Sequence, residues 1–162
     1  MVLSGSSFLG NADVRVDFYH LQSSALERAL PALLERVVAA GKRAVVMAAS
    51  VDRIEALNNA LWVHNPNSWL PHGSAKDGFD AAQPIWLTDK EENPNSASVL
   101  VLTDGMAADF LGSFERCLDL FDGTSEEAVA LARTRWAQAK AAGHELHYWQ
   151  QNEAGAWAEK AS

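Results

Sequence analysis

The sequence predicts an α/β fold built on a largely parallel sheet flanked by helices. Three observations point there. Arg43-Ala44-Val45-Val46-Met47-Ala48 and Val99-Leu100-Val101-Leu102 are short, nearly unbroken apolar runs, the composition of strands buried on both faces. Stretches of helical periodicity alternate with them, and strands separated by helices favour parallel crossovers. A chain of 162 residues that is 48% apolar can also bury one sizeable core.

The elements follow in order. Residues 4–12 are rich in Ser and Gly, so residues 1–12 are expected to be a flexible leader and residues 13–162 the folded domain. Val14-Arg15-Val16-Asp17-Phe18-Tyr19 alternates apolar and polar positions and reads as a first strand. Ser24-Ala25-Leu26-Glu27 has the form of a capping box. Leu26, Leu30, Leu33, Leu34, Val37 and Val38 then recur at helical spacing, with Gly41 as the stop. Pro31 lies inside this pattern and is expected to kink the helix or mark a restart. After the strand at 43–48, Ser50 is placed to cap a helix whose inward stripe is Ile54, Leu57 and Leu61. Trp62 falls well off that stripe.

Residues 57–73 carry Trp62, Trp69, Pro66 and Pro71 in one short connection. Each proline disfavours helix in the residue before it, so Asn65 and Leu70 are expected to be extended. A rigid loop bearing large aromatics suits capture by a partner better than chemistry. Residues 74–82 read as a loop, 83–88 as a strand opened by Pro84, and 89–98 as an exposed turn. Asp104-Gly105 ends the strand at 99–102. Residues 108–119, with Phe110, Leu111, Phe114 and Leu118, read as a short helix, followed by a turn at Phe121-Asp122-Gly123. Thr124-Ser125-Glu126-Glu127 reads as a second capping box, opening a helix that runs to about Ala142 and stops at Gly143. Tyr148, Trp149 and Trp157 around Asn152-Glu153-Ala154-Gly155 suggest a terminal hairpin.

Composition narrows the function classes. The formal charge is −8 and the pI about 5.0, so nucleic acid phosphates are repelled unless a local basic patch intervenes. Protein or small-molecule partners are favoured over direct DNA binding. Cys117 is the single cysteine, which excludes an intramolecular disulfide and a thiolate cluster and leaves a small core residue. Met1 to Gly10 lacks a secretory signal pattern and no stretch approaches a membrane span, so the expectation is a cytoplasmic protein without membrane attachment.

Neither GxGxxG, GxxxxGK[ST] nor GxSxG occurs. His20, His64, His72, His144 and His147 form no metal-ligand spacing, so no metal and no cofactor are expected. Asp104 and Asp122 each end an apolar segment beside glycine, where aspartate commonly serves the turn. The rival is a small α/β enzyme, a hydrolase or nucleotide-dependent protein, using Asp104, Asp122 and His72 at the carboxyl edge of the sheet.

The last long helix carries the sharper signal. Residues 131–143 hold Arg133, Arg135 and Lys140 and no carboxylate. Arg133, Trp136, Ala137 and Lys140 share one side. Two cations about an indole, with alanine leaving room, suit an acidic peptide with an apolar anchor. On residue types alone Trp136 could equally pack on the sheet while Arg133 and Lys140 reach around it to water. A single-stranded DNA site stacking on Trp136 and Trp149 is disfavoured by the net charge.

From 17 to 161 the chain resembles the chi subunit of bacterial DNA polymerase III holoenzyme. The resemblance rests on Phe18-Tyr19-His20-Leu21, Gly41-Lys42-Arg43, Leu57 with Ala60-Leu61-Trp62, Ser68-Trp69-Leu70-Pro71-His72-Gly73, Gln83-Pro84-Ile85, Phe121-Asp122-Gly123, Ala132-Arg133 and Tyr148-Trp149-Gln150. It implies a Rossmann-like fold without nucleotide-binding glycines and no catalytic centre. It also implies two partners: the acidic, apolar C-terminal tail of single-strand DNA-binding protein (SSB), and the psi subunit that tethers chi to the clamp loader. Arg133 and Trp136 match positions of the tail site, to which Lys140 is added by its place on the same side of the helix. Trp62 and Trp69, with Pro66 and Leu70 in the same segment, match the region that meets psi. A lysine of the family's tail site is Val129 here.

Overall fold

The computed structural model describes residues 14–64 and 70–160, so the leader and the centre of the Trp-Pro loop lie outside the described residues. Eight strands form one sheet: β1 (Arg15–Leu21), β2 (Ala44–Met47), β3 (Gly73–Ser74), β4 (Ile85–Thr88), β5 (Val99–Leu102), β6 (Arg116–Asp122), β7 (Glu145–Gln151) and β8 (Trp157–Lys160). Three α-helices accompany them: α1 (Leu26–Ala39), α2 (Val51–Val63) and α3 (Glu126–Ala141). The strand order is β3-β4-β2-β5-β6-β1-β7-β8. Every neighbouring pair is parallel except the β7–β8 hairpin. This is the Rossmann-like α/β architecture expected.

Pleating divides the core in two, because successive side chains leave a strand on opposite sides. Tyr19, Leu21 and Val46 face α1 and α2, which contribute Leu30, Leu34, Leu57 and Leu61. Phe18 and Val45 face the other way, with Phe114 and with Ala132 and Trp136 of α3. Both glycine stops form as the sequence predicts. Gly41 has φ +76°, and the amides of Lys42 and Gly41 donate to the carbonyls of Val37 and Val38 at 3.1 and 2.9 Å. Gly143 has φ +86° and makes the same pair of bonds with His144, to Lys140 and Ala139. These are Schellman endings, which glycine enters without the cost a Cβ would impose.

Several local expectations are corrected. The first capping box does not form: α1 starts at Leu26 with no side-chain cap. Its members have other partners, Glu27 accepting from Arg53 Nη2 at 2.9 Å and Ser24 Oγ from Gln151 Nε2 at 2.5 Å. The same Gln151 accepts from the amides of Gln22, Ser23 and Ser24, so a residue far along the chain satisfies the approach to α1. The second box also fails as written. Ser125 is the cap, accepting the Ala128 amide at 3.1 Å, while Thr124 donates to Asp122. Pro31 does not restart the helix; it sits in the second turn, where its missing donor costs only the carbonyl of Glu27 in the first.

Residues 108–119 are not one helix. A 3-10 turn at Asp109–Ser113 leads into β6, an interior strand between β5 and β1. Residues 89–98 are not wholly exposed either. Asn95 is 1% exposed, and its Nδ2 donates to the carbonyls of Gln83 and Ala44 at 2.8 and 3.1 Å, tying the loop to the start of β2 and β4.

Candidate peptide-binding hollow

Helix α3 lies across β6 and β7 with Ala132 and Arg135 inward. Arg135 Nε and Nη2 donate to Asp119 at 2.6 and 2.9 Å, both side chains nearly sealed. Burial pushes the Asp119 carboxyl up and the guanidinium pulls it back. Of the three cations read on this helix, Arg135 is therefore a structural ion pair and Arg133 remains exposed.

Arg133 and Trp136 meet at a hollow of about 310 Å³ whose walls are Phe18, Phe121, Val129 and Tyr148, with His20 and Ala132 completing it. Trp136 is half-buried. Its ring stands edge-on to Phe18 at 5.2 Å and to Tyr148 at 6.2 Å between centroids, geometry favoured by the ring quadrupoles. His20 Nδ1 and the Tyr148 hydroxyl share a hydrogen bond. Burial lowers the His20 pKa below 6.5 and raises that of Tyr148 above 10.0. Both are neutral at pH 7, so Arg133 is the one charge lining the hollow.

The alanine that leaves room beside the indole is Ala132, not Ala137, which is exposed. Lys140, a turn beyond Trp136, is exposed and does not line the hollow. Gly123 has a steric reason to be glycine. A Cβ there would overlap the His20 ring and come within 2.5 Å of the Leu21 carbonyl oxygen, so Phe121-Asp122-Gly123 packs against Phe18-Tyr19-His20-Leu21.

Trp62 ends α2 with 66% of its surface exposed, beside Val63 at 77%. Its ring leans on His72 at 4.7 Å. His72 is buried and its Nδ1 donates to the Leu70 carbonyl at 2.8 Å. Leu70 itself is buried against the core, while Pro66 and Trp69 lie outside the described residues. Asp104 and Asp122 line a different cleft, about 820 Å³ at the carboxyl ends of β1, β2, β5 and β6. Asp104 is paired with Arg53, Asp122 with Thr124, and His72 is not part of that cleft. The trio the enzyme rival requires is not brought together. Among the described residues no cluster of metal-ligating side chains occurs, and no helix is long and apolar enough to cross a membrane.

The family model of the DNA polymerase III chi subunit, HolC, matches residues 14–147. The chain belongs to that family. It is 37% identical over 84 residues to the probable DNA polymerase III subunit chi of Rickettsia prowazekii, a match covering 52% of this chain and 51% of that one. It is 25% identical over 125 residues to the DNA polymerase III subunit chi of Escherichia coli (strain K12), covering 76% of this chain and 84% of that one. The chain thus spans about half the length of the first relative. The chi family takes its name from a subunit of a polymerase complex, an accessory position and not the catalytic one.

Within the chi match lie all the walls of the hollow except Tyr148, which follows its last residue. Residue reading named Arg133 and Trp136 and did not assign Phe18, His20, Phe121 or Tyr148 to the site. Their signal was present as aromatic residues in three separated segments. Only the parallel pairing of β1 with β6 and β7 shows that these segments are neighbours.

Proposed function

We propose that this chi-family chain is a non-catalytic adaptor of bacterial DNA polymerase III, acting in the cytoplasm. Its α3 hollow holds the C-terminal tail of SSB. Its Trp62 face docks onto psi or directly onto the clamp loader, Pro66 and Trp69 being assigned to the same contact by sequence alone and Leu70 anchoring the segment to the core. One observation carries the reading: an aromatic recess with a single guanidinium at its rim, on a protein whose net charge is −8. An apolar terminal side chain fits the recess while Arg133 pairs with the terminal carboxylate, a charge-assisted bond stronger than a neutral one. Lys140 adds positive charge one turn along, where the acidic residues of the tail would run. Val129, in place of the family lysine, trades a charge for apolar wall. Direct DNA binding has no part in this role.

Replacing Arg133 with alanine removes that bond and is expected to weaken binding of an acidic peptide ending in phenylalanine by about 1–3 kcal/mol. Titration calorimetry checks this, and an unchanged affinity would refute the assignment.

A further inference from the structure

The sheet presents a second aromatic face, on the side away from the α3 hollow. Phe18 and Tyr148 are register partners, and so are their neighbours Tyr19 and Trp149. Alternation therefore sends Tyr19 and Trp149 to the opposite side. There they stack at 6.1 Å with planes 10° apart, and Trp157 of β8 meets Tyr19 edge-on at 5.1 Å. Together with the outer flank of α1 they line a groove of about 770 Å³.

The groove is cationic although the chain is acidic. Arg15, Arg36, Lys42 and Arg116 line it, against Glu115 alone. Beneath it lies Asp17, fully buried, which accepts from Arg15, from Arg116 Nε at 2.8 Å and from Trp149 Nε1 at 2.9 Å. Two guanidiniums share this one carboxylate. Lys42 pairs with Glu115 at 3.3 Å, and Arg36 is exposed with no hydrogen bond or ion pair among the described residues. Four cations face two carboxylates, and Glu145, the register partner of Arg15 on β7, acts on Arg15 from just outside the groove, which leaves one to two positive charges in excess beside three aromatic rings.

We infer that this groove is a second docking site, for an acidic peptide segment carrying an aromatic or large apolar side chain. Charge complementarity selects the occupant. One or two carboxylates neutralise the excess, and Arg36 offers a free planar fork of donors for one of them. A nucleic acid strand adds a charge with every nucleotide and would run from the groove onto acidic surface, so it is the poorer fit. The guanidiniums of Arg15 and Arg116 are held in place by Asp17, which reduces the ordering cost of binding.

The test uses the full chain carrying Arg133→Ala, so that the α3 hollow is disabled. The probe is an acetylated peptide of four aspartates and one phenylalanine, amidated at its C-terminus so that it offers no terminal carboxylate. Its titration is expected to shift the indole N–H resonances of Trp149 and Trp157 saturably. Arg36→Glu should weaken that binding at least tenfold with an unchanged melting temperature, and Arg36→Gln should weaken it less. No saturable shift, binding that Arg36→Glu leaves within twofold, or a response only to a ten-nucleotide thymidine strand would each overturn the proposal. Binding of a free-carboxylate tail peptide to the chain with Arg133 intact is a separate measurement, so either site can fail alone.

Discussion

Arg133 and Arg135 stand two residues apart on α3, and the sequence gives them equal standing as cations. The structure divides them: Arg135 faces inward onto Asp119, and Arg133 faces out at the rim of the hollow. Removing one partner of the buried pair would strand a charge, so it specifies how α3 seats on β6. Trp62 shows the reverse case, a large aromatic that the helical stripe correctly places outside the core. With 66% of its surface exposed and His72 its one ring neighbour among the described residues, it contributes little to folding. Trp62→Ala should lower stability by about 1 kcal/mol or less while impairing capture of psi or the clamp loader. Urea unfolding of the purified variant checks this, since truncating a core aromatic costs about 3–5 kcal/mol.

Elements whose apolar pattern was complete were legible: β2 and β5 as unbroken runs, α2 by its stripe, and the β7–β8 hairpin by its turn. β6 was not, because Arg116-Cys117-Leu118-Asp119-Leu120 carries a carboxylate at an interior position. Asp119 is tolerated there through Arg135, a partner that sequence spacing does not reveal. The capping boxes misled for a related reason, since Gln151 reaches Ser24 across the fold. The hairpin adds a pH-dependent feature. His147 lies between Glu145 and Glu159 on neighbouring strands at 2.6 Å from each. These two hydrogen bonds raise its pKa above 6.5. Protonated imidazole is favoured in the folded hairpin, so the added stability is full below pH 6.5 and is lost as pH rises through the raised value. Backbone amides of β7 and β8 should exchange faster relative to the rest of the sheet at pH 8.5 than at pH 6, after correction for intrinsic rates. In His147→Gln that difference should vanish; its persistence would assign the effect elsewhere.

Among the described residues, one sheet carries two aromatic recesses back to back, one with a single guanidinium at its rim and the other with four cations along it. The parallel register of β1 with β7 makes both at once, since each residue step along the pair changes the face. This arrangement could not be read from the sequence, which locates aromatic residues but not which strands adjoin. The remaining surface is acidic, and the balance between local attraction and global repulsion decides how binding responds to salt. At about 0.15 M ionic strength charges are screened over roughly 8 Å. An acidic tail in the α3 hollow then feels Arg133 directly, while the −8 net charge acts on it mainly as a screened repulsion. Raising salt further shortens the screening length to about 3 Å at 1 M and removes attraction faster than it removes the already screened repulsion. Affinity for the tail peptide should therefore fall steadily from 0.15 M upward, and the fall should be much shallower in Arg133→Ala. Calorimetric titrations across a salt series check this, and an affinity that rises with salt would mean that burial of the apolar anchor, not the guanidinium, dominates recognition.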